Sequence, residues 1–251
     1  MIPIQYISDI HLEFLHIEEI KSKARKIVPV CPILILSGDI GNPFHKGYKL
    51  FIEEMNNKFE KVFIISGNHE YYGGKSMEET DIQIKDIVKE CVNVSYLQNS
   101  YEDYKGIRYI GSTLWSNITD PNYKINDVDY IKKMDIDSYN SIHQQSVEFI
   151  IKTLSQSKEY NCILITHHLP SYKLIDEKFM NQTVSIYNQW FASSLDDILI
   201  QYSSIIKGWF YGHTHLPNIT NLYGVNTYCN PVGYKGENSK PDYNKNVIIK
   251  L

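Results

Sequence analysis

Five short polar clusters each follow directly on an apolar run, and this repeated pattern constrains the fold of the chain more than any other feature. The clusters are Ser8-Asp9-Ile10-His11, Ser37-Gly38-Asp39, Gly67-Asn68-His69-Glu70, Thr166-His167-His168 and Gly212-His213-Thr214-His215. The preceding apolar runs have the length and composition of buried strands, and α/β folds build their sites where such strands end. The clusters hold more metal-binding side chains than one ion could use. The pattern therefore predicts a site for two metal ions.

The order of the apolar patterns predicts an α/β fold. Strands are predicted near 3–7, 32–36, 61–65, 94–97, 107–110, 161–166, 208–211, 218–222, 225–229 and 246–250, and helices near 17–28, 46–58, 76–90, 141–156 and 191–202. Alternating strands and helices early in the chain indicate βαβ units, and the closely spaced later strands indicate a second sheet with hairpins. We therefore expect residues 1–251 to form one domain of two stacked mixed sheets flanked by helices.

The least regular stretches begin close after a motif or a strand end. They cover residues 71–75, 111–140 and 170–190. Because loops at strand ends carry binding residues in α/β folds, these three stretches are the candidate specificity loops.

The charge balance limits the class of partner. The chain has 25 Lys and Arg against 29 Asp and Glu, a formal net charge of −4, so no general basic surface is available for a long nucleic acid. Arg25 and Arg108 are its only arginines, which is too few for a phosphate clamp built from several guanidinium groups. Metal ions would have to carry most of the charge of a bound phosphate.

The cysteines and the N-terminus favour a cytoplasmic protein. The four cysteines show no CxxC spacing, so we expect reduced core residues. Residues 2–11 already carry a predicted strand into the first motif, which leaves no room for a cleaved signal peptide. No apolar stretch approaches the roughly 18 residues that would span a bilayer. A membrane partner is not expected, and the oligomeric state is not indicated.

The spacing within the clusters predicts how the side chains share the metals. In an extended segment residues i and i+2 face the same side, so Asp9 and His11 can converge on one ion. His213 and His215 have the same spacing and can reach neighbouring ions. Imidazole nitrogens combined with carboxylate and amide oxygens suit Mn, Fe, Zn or Co.

Two further positions follow from the same geometry. The adjacent His167 and His168 point to opposite sides of an extended chain, so only one of them is expected to bind a metal. Asp39 is the candidate bridge between two cations, because a carboxylate can offer one oxygen to each.

The ordered motifs resemble those of the calcineurin-like metallophosphoesterase superfamily, over residues 9–215. This resemblance implies a four-layer double β-sandwich with helices outside, two divalent metal ions, and phosphoester hydrolysis by a metal-bridging water or hydroxide. It assigns Asp9, His11 and His215 to one metal, Asn68, His167 and His213 to the other, and Asp39 to both.

The residues around Asn68 have predicted roles as well. His69 is expected to donate a proton to the leaving oxygen or a hydrogen bond to the phosphate. Glu70 is a candidate to orient His69, and His168 is a candidate to support the metal ligands from behind. Tyr71 and Tyr72 follow the motif directly, and at least one of them is expected to border the substrate pocket.

Departures from the family patterns narrow the choice of branch. Serine/threonine protein phosphatases continue Gly-Asp with two residues and then Asp-Arg-Gly, whereas Gly38-Asp39 is followed by Ile40-Gly41-Asn42-Pro43-Phe44. The His-orienting Asp and the phosphate-binding Arg of that branch are both missing. Purple acid phosphatases have a tyrosine ligand where this chain has Asn42. The smaller phosphodiesterase-like or general phosphoesterase group remains.

Three functions are consistent with these residues. The first is hydrolysis of a small phosphodiester, including a nucleotide. The second is a phosphomonoesterase, including one that acts on phosphoproteins, which the lack of an arginine clamp disfavours. The third is a non-catalytic protein-binding scaffold, which the complete ligand set and His69 disfavour. A tail segment, Asn230-Pro231-Val232-Gly233-Tyr234, resembles a motif of some uncharacterised family members, and the sequence assigns it no role.

Overall fold

The computed structural model describes residues 3–122, 124–181, 185–237 and 247–250. Its strands are β1 (Pro3–Ile7), β2 (Ile33–Ser37), β3 (Lys61–Ile65), β4 (Val94–Tyr96), β5 (Ser100–Tyr104), β6 (Ile107–Ser112), β7 (Asn161–Thr166), β8 (Ile206–Tyr211), β9 (Asn218–Leu222), β10 (Val225–Cys229) and β11 (Ile248–Lys250). Its α-helices are α1 (Ile17–Lys26), α2 (Lys46–Lys58), α3 (Met77–Lys89), α4 (Asn126–Tyr130), α5 (Ile136–Ser155) and α6 (Asp196–Tyr202).

The strands form two mixed sheets. The first has the order β11-β1-β2-β3-β4, in which β1 to β4 are parallel and β11 is antiparallel to β1. The second has the order β5-β6-β7-β8-β10-β9, with parallel central strands and antiparallel edge strands β5 and β9. This topology confirms the predicted α/β class and its two mixed sheets.

The alternation of side chains along the strands explains the layers. Ile33 and Ile35 face the core between the sheets, where they meet residues of the second sheet such as Ile163. Leu34 and Leu36 point to the opposite face, which α1, α2 and α3 cover. Helices α5 and α6 cover the outer face of the second sheet. The order helix, sheet, sheet, helix is the predicted four-layer arrangement.

Several boundaries differ from the predictions for local physical reasons. Strand β5 was not predicted because Ser100–Tyr104 is a polar edge strand with few aliphatic residues. Helix α5 begins before residue 141, where Asp135 caps it by accepting a hydrogen bond from the Ser138 N–H at 2.8 Å. The stretch 111–140 therefore contains α4 and the start of α5. Helix α6 begins at Asp196 rather than at 191. Residue 246 of the last predicted strand lies outside the described residues.

The topology brings the five polar clusters to one edge of the sandwich. Strands β1, β2 and β3 are parallel neighbours in the first sheet, and β7 and β8 are parallel neighbours in the second. Each of these five strands carries one cluster at or just after its carboxyl end. Among the described residues, no helix combines the length and apolarity needed to cross a membrane.

Candidate metal centre

The structure gathers the candidate ligands into two adjacent groups. The groups that could each hold a metal ion include Asp9, His11 and His215 in one case and Asp39, His167 and His213 in the other. Within each group the ligand atoms all lie within 4.8 Å of one another. The Asn68 Oδ1 joins the second group, at 3.1 Å from the His167 Nε2. A third group, formed by His11, Asp39 and His69, overlaps the first two.

Asp39 lies between the two groups. Its Oδ2 is 3.7 Å from the His11 Nε2 and 3.3 Å from the His167 Nε2. The residue is 1% exposed, so its charge is little screened by solvent. One oxygen of this buried carboxylate thus lies near both groups, whereas the prediction gave one oxygen to each.

In the first group the Nε2 atoms of the imidazole rings are the nitrogens that could bind a cation. The His11 Nδ1 lies 3.0 Å from the Glu13 Oε1, and the His215 Nδ1 lies 2.9 Å from the Glu237 Oε2. Because a carboxylate accepts hydrogen bonds, each neutral ring keeps its proton on Nδ1 and its lone pair on Nε2. The two Nε2 atoms face each other at 3.0 Å. A proton or a metal ion is needed to make that approach favourable.

The second group likewise directs its ligand atoms towards one another. The His167 Nδ1 lies 2.9 Å from the Ser37 carbonyl oxygen, while its Nε2 faces the Asn68 Oδ1, the Asp39 Oδ2 and the His213 Nδ1. Burial lowers the pKa of His167, but the carboxylates of Asp39 and Asp9 and the Ser37 carbonyl together raise it more, to about 10. The metal-free group therefore holds a proton where several acceptors converge. A cation that displaced this proton would find nitrogen and oxygen ligands already in place.

The ligand loops have an unusual backbone. Five of the seven candidate ligands adopt the left-handed conformation, with φ values of 52° at Asp9, 53° at His11, 51° at Asp39, 73° at His213 and 51° at His215. Positive φ costs free energy in residues other than glycine and persists only where the surroundings enforce it. Strained residues concentrated on one set of ligands indicate a functional site.

Glu70 is one of the groups that enforce this geometry. Its buried carboxylate accepts hydrogen bonds from the N–H groups of Gly67 at 2.7 Å, Asp39 at 3.1 Å, Ile40 at 2.7 Å and Gly41 at 3.3 Å. Burial and the Asp39 carboxylate raise the pKa of Glu70 to about 8, and the hydrogen bonds from Gly67 and Ile40 oppose that rise. Both oxygens hold the loop that carries Asp39, whereas the prediction directed them to the His69 ring.

His69 stands beside the two groups with both ring nitrogens engaged. Its Nδ1 lies 3.0 Å from the Glu13 Oε1, and its Nε2 lies 3.0 Å from the Tyr234 hydroxyl. Its backbone N–H donates to the Asp39 Oδ1 at 2.9 Å, which ties the His69 main chain to the central carboxylate. Burial lowers the pKa of His69, but the carboxylates of Asp39 and Glu13 raise it more, to about 9. The ring is therefore protonated at neutral pH in the metal-free protein.

The tail segment brings Tyr234 into the site, and the turn after it brings in Glu237, which sequence reasoning missed. The Val232 N–H donates to the Ser8 carbonyl at 2.9 Å and the Gly233 N–H donates to the Asp9 carbonyl at 3.0 Å, so the segment lies along the end of β1. This path places Tyr234 on His69 and Glu237 on His215. The motif marked this segment in the sequence, but no residue in it indicated which part of the chain the segment contacts.

Asp127 is a further missed residue, and it lies in α4. The Asn68 Nδ2 donates to the Asp127 Oδ1 at 2.8 Å, and the Tyr72 hydroxyl donates to the same oxygen. These bonds fix the amide so that the Asn68 Oδ1 faces His167. Asp127 is fully buried, but its sequence neighbourhood contains none of the family motifs.

The remaining predicted residues lie in different environments. Tyr72 lines a cavity of about 450 Å³ that also contains His69, and its ring centroid is 4.3 Å from that of His69. Tyr71 is 1% exposed, packs in the core against Trp115 and donates to the Asp81 Oδ1 at 2.9 Å. Only the second tyrosine of the pair therefore borders the cavity.

His168 lies behind the ligands. It is fully buried, its Nε2 is 3.1 Å from the Tyr139 hydroxyl, and its ring centroid lies 4.3 Å from that of His213. Burial and the neighbouring His167 lower its pKa, so the ring is neutral. It packs against a candidate ligand without joining either group.

Glu237→Gln is expected to weaken metal binding at the first group by about 10- to 100-fold, the usual effect of losing the partner of a ligating histidine. The amide keeps the size of the side chain but binds the His215 N–H more weakly than the carboxylate does. Metal titration monitored by calorimetry measures the change. Glu159→Gln, at an exposed position, is the matched control. Equal affinities in the two variants would contradict a supporting role for Glu237.

Comparisons with known proteins found a matching family and a related sequence. A profile described as calcineurin-like phosphoesterase matches residues 2–217. A protein of Acanthamoeba polyphaga mimivirus, uncharacterized protein L509, is 32% identical over 263 residues, which cover 93% of this chain and 92% of the relative.

Two solved structures share the fold. Phosphopantetheinyl hydrolase from Mycobacterium tuberculosis has a TM-score of 0.76 at 18% identity, with 96% of this chain and 93% of that chain covered. TT1561 of Thermus thermophilus has a TM-score of 0.61 at 11% identity, with 91% and 88% covered. At these identities the similarity concerns the fold alone.

Proposed function

Because the chain belongs to the calcineurin-like phosphoesterase family, we propose that it is a metal-dependent hydrolase of small phosphodiesters. The observation that carries the proposal is the pair of ligand groups that share the Asp39 carboxylate, with His69 beside them. In this proposal Asp9, His11 and His215 hold one divalent ion, Asn68, His167 and His213 hold the other, and Asp39 binds both. Bound ions would lower the pKa of water and neutralise phosphoryl oxygens.

The protein's own contribution to the reaction centres on His69. With its Nε2 turned towards the cavity, the ring in its protonated form can donate a proton to the departing alkoxide or aryloxide oxygen. Glu13 holds the other ring nitrogen and so fixes the orientation of the ring. The Tyr234 hydroxyl accepts a hydrogen bond from the protonated Nε2 until a substrate oxygen takes its place. Glu13 thus fills the role for which related phosphatases use an Asp that this chain lacks.

The charges around the cavity favour a diester, which carries one negative charge, over a monoester, which carries two. Arg108 is engaged elsewhere, because its guanidinium donates to both Asp103 oxygens and lies between the rings of Tyr101 and Tyr160. Among the described residues that line the cavity, Lys124 is the one lysine or arginine. A site with so few cationic side chains is better matched to the smaller charge.

Turnover of paired substrates tests this proposal. We expect the Mn-loaded protein to cleave bis-p-nitrophenyl phosphate faster than p-nitrophenyl phosphate, and to lose activity on chelation with recovery after Mn is restored. Bound metal measured by mass spectrometry should rise and fall with activity. A clear preference for the monoester would indicate a phosphomonoesterase, which is the second function consistent with the sequence. If the protein fully loaded with Mn turned over neither substrate, the non-catalytic protein-binding scaffold would be the remaining function.

A further inference from the structure

A second cavity opens beside the metal centre. Its volume is about 260 Å³, and it shares Ile125, Phe191 and Thr214 with the cavity that contains His69. The Phe191 ring lies 4.6 Å, centroid to centroid, from the ring of the candidate ligand His213. The two cavities are therefore adjacent, and the second one begins one side chain away from a candidate metal ligand. We call it the apolar cavity.

The walls of the apolar cavity are almost wholly hydrophobic. Ile175, Phe179 and Tyr187 line it together with the shared residues. The one amide in the lining, Asn188, uses its Nδ2 to donate to the Phe179 carbonyl at 3.0 Å. That bond holds the loop in shape and leaves the amide N–H engaged within the wall. A ligand in this cavity would find contact surface and few hydrogen-bonding groups.

The loop that forms the cavity is tied to the fold at both ends. Near its start the Leu169 carbonyl accepts from the Ser193 N–H at 2.8 Å, and Ile175 packs into the core beneath α5 and α6. Asp176 caps the short helical turn Glu177–Phe179, accepting from the Lys178 N–H at 3.0 Å. The described parts of the walls are therefore held by the protein itself, as a preformed binding site requires.

We propose that the apolar cavity binds an alkyl or aryl group esterified to the phosphate held at the metal centre. This inference rests on the proposed function and narrows its substrate class. A cavity of about 150 Å³ lined by apolar residues is enough to bind benzene, so the larger volume here accommodates a bicyclic ring or a medium-length alkyl chain. A nucleobase fits less well, because burying its polar edges without hydrogen-bond partners is unfavourable.

Binding of non-hydrolysable phosphonates tests the proposal without requiring catalysis. The Mn-loaded protein is titrated by calorimetry with methyl-, butyl- and octylphosphonate. We expect affinity to rise about fourfold for each added methylene, following roughly 0.8 kcal/mol per buried methylene, and to level off once the cavity is filled. Equal affinity for all three chains would overturn the proposal, as would tighter binding of a nucleoside phosphonate than of butylphosphonate.

A pair of matched variants locates the binding. Phe179→Ala should weaken octylphosphonate binding about tenfold and leave methylphosphonate binding unchanged. Phe44→Ala replaces a phenylalanine that is 41% exposed and lies outside the lining of this cavity, so it should change neither affinity. If both variants lost octylphosphonate affinity, or if neither did, the assignment of octyl-chain binding to the apolar cavity would be overturned.

The titration separates this inference from the proposed function. Metal-dependent methylphosphonate binding with no effect of chain length would overturn the apolar cavity as a substrate site and leave the metal centre in place. Absence of phosphonate binding to the loaded protein, together with absence of turnover, would overturn the proposed function itself. The wild-type chain-length series stands without any variant, so a folding defect in Phe179→Ala does not remove the test.

Discussion

Asp39→Asn is expected to lower phosphodiester turnover by at least about 10³-fold, because ions that stabilise the transition state by several kcal/mol lose their shared ligand. Asparagine matches the shape of the side chain but removes the one carboxylate that reaches both ligand groups. The neutral amide can no longer offset the charge of two cations. We therefore also expect a lower metal content after gel filtration, measured by mass spectrometry.

The control for this variant is Asp86→Asn, the same substitution at an exposed position of α3. It should retain metal content and turnover, because surface changes of this kind have small effects. Circular dichroism of both metal-free variants shows whether the fold persists. Full metal content and unchanged turnover in Asp39→Asn would exclude the bridging role.

His69→Ala is expected to retain metal but to lose about 10²- to 10⁴-fold in kcat on a diester with an alkyl leaving group, the range typical of general acid catalysis. The histidine is not placed in either complete ligand set, and Asn68 keeps its own hydrogen bonds to Asp127 and Tyr72. A p-nitrophenolate leaving group needs little protonation. The same variant should therefore lose far less activity on bis-p-nitrophenyl phosphate.

This difference between leaving groups is the decisive measurement. An equal loss on both substrates would indicate that His69 binds the phosphate rather than protonating the leaving oxygen. Loss of metal would make it a ligand, which its grouping with His11 and Asp39 permits geometrically. His16→Ala, at an exposed position, is the matched control and should behave as the wild type does.

The positions that the sequence predicts well are those fixed by local geometry. The apolar runs before each cluster have few alternatives to buried parallel strands, and the ligands follow within a few residues. Parallel strands align their carboxyl ends, so the meeting of Asp9, Asp39 and His167 follows once the strand order is known. The alternation of Ile33 to Leu36 between two cores was likewise encoded by the period of a strand.

The positions that it predicts poorly depend on the path of the chain through space. Glu237 follows His215 by 22 residues, and its contact exists because the tail turns back along the end of β1. Asp127 reaches Asn68 from a short helix in a stretch that was predicted as irregular. Glu13 is the intermediate case, since it lies two residues beyond His11 in an alternating Asp-x-His-x-Glu series. That spacing was a usable signal.

The left-handed backbone at the ligand positions lowers the stability of the fold, while the side chains at those positions serve the proposed activity. Each such residue other than glycine costs roughly 1–2 kcal/mol relative to a relaxed conformation, and five candidate ligands share the condition. A chain free of functional demands would accumulate glycine or asparagine at these positions and become more stable. Drift of that kind would erase the centre while preserving the sandwich. Aspartate and histidine at these five positions thus give up stability that glycine would provide, in return for side chains that can bind metal.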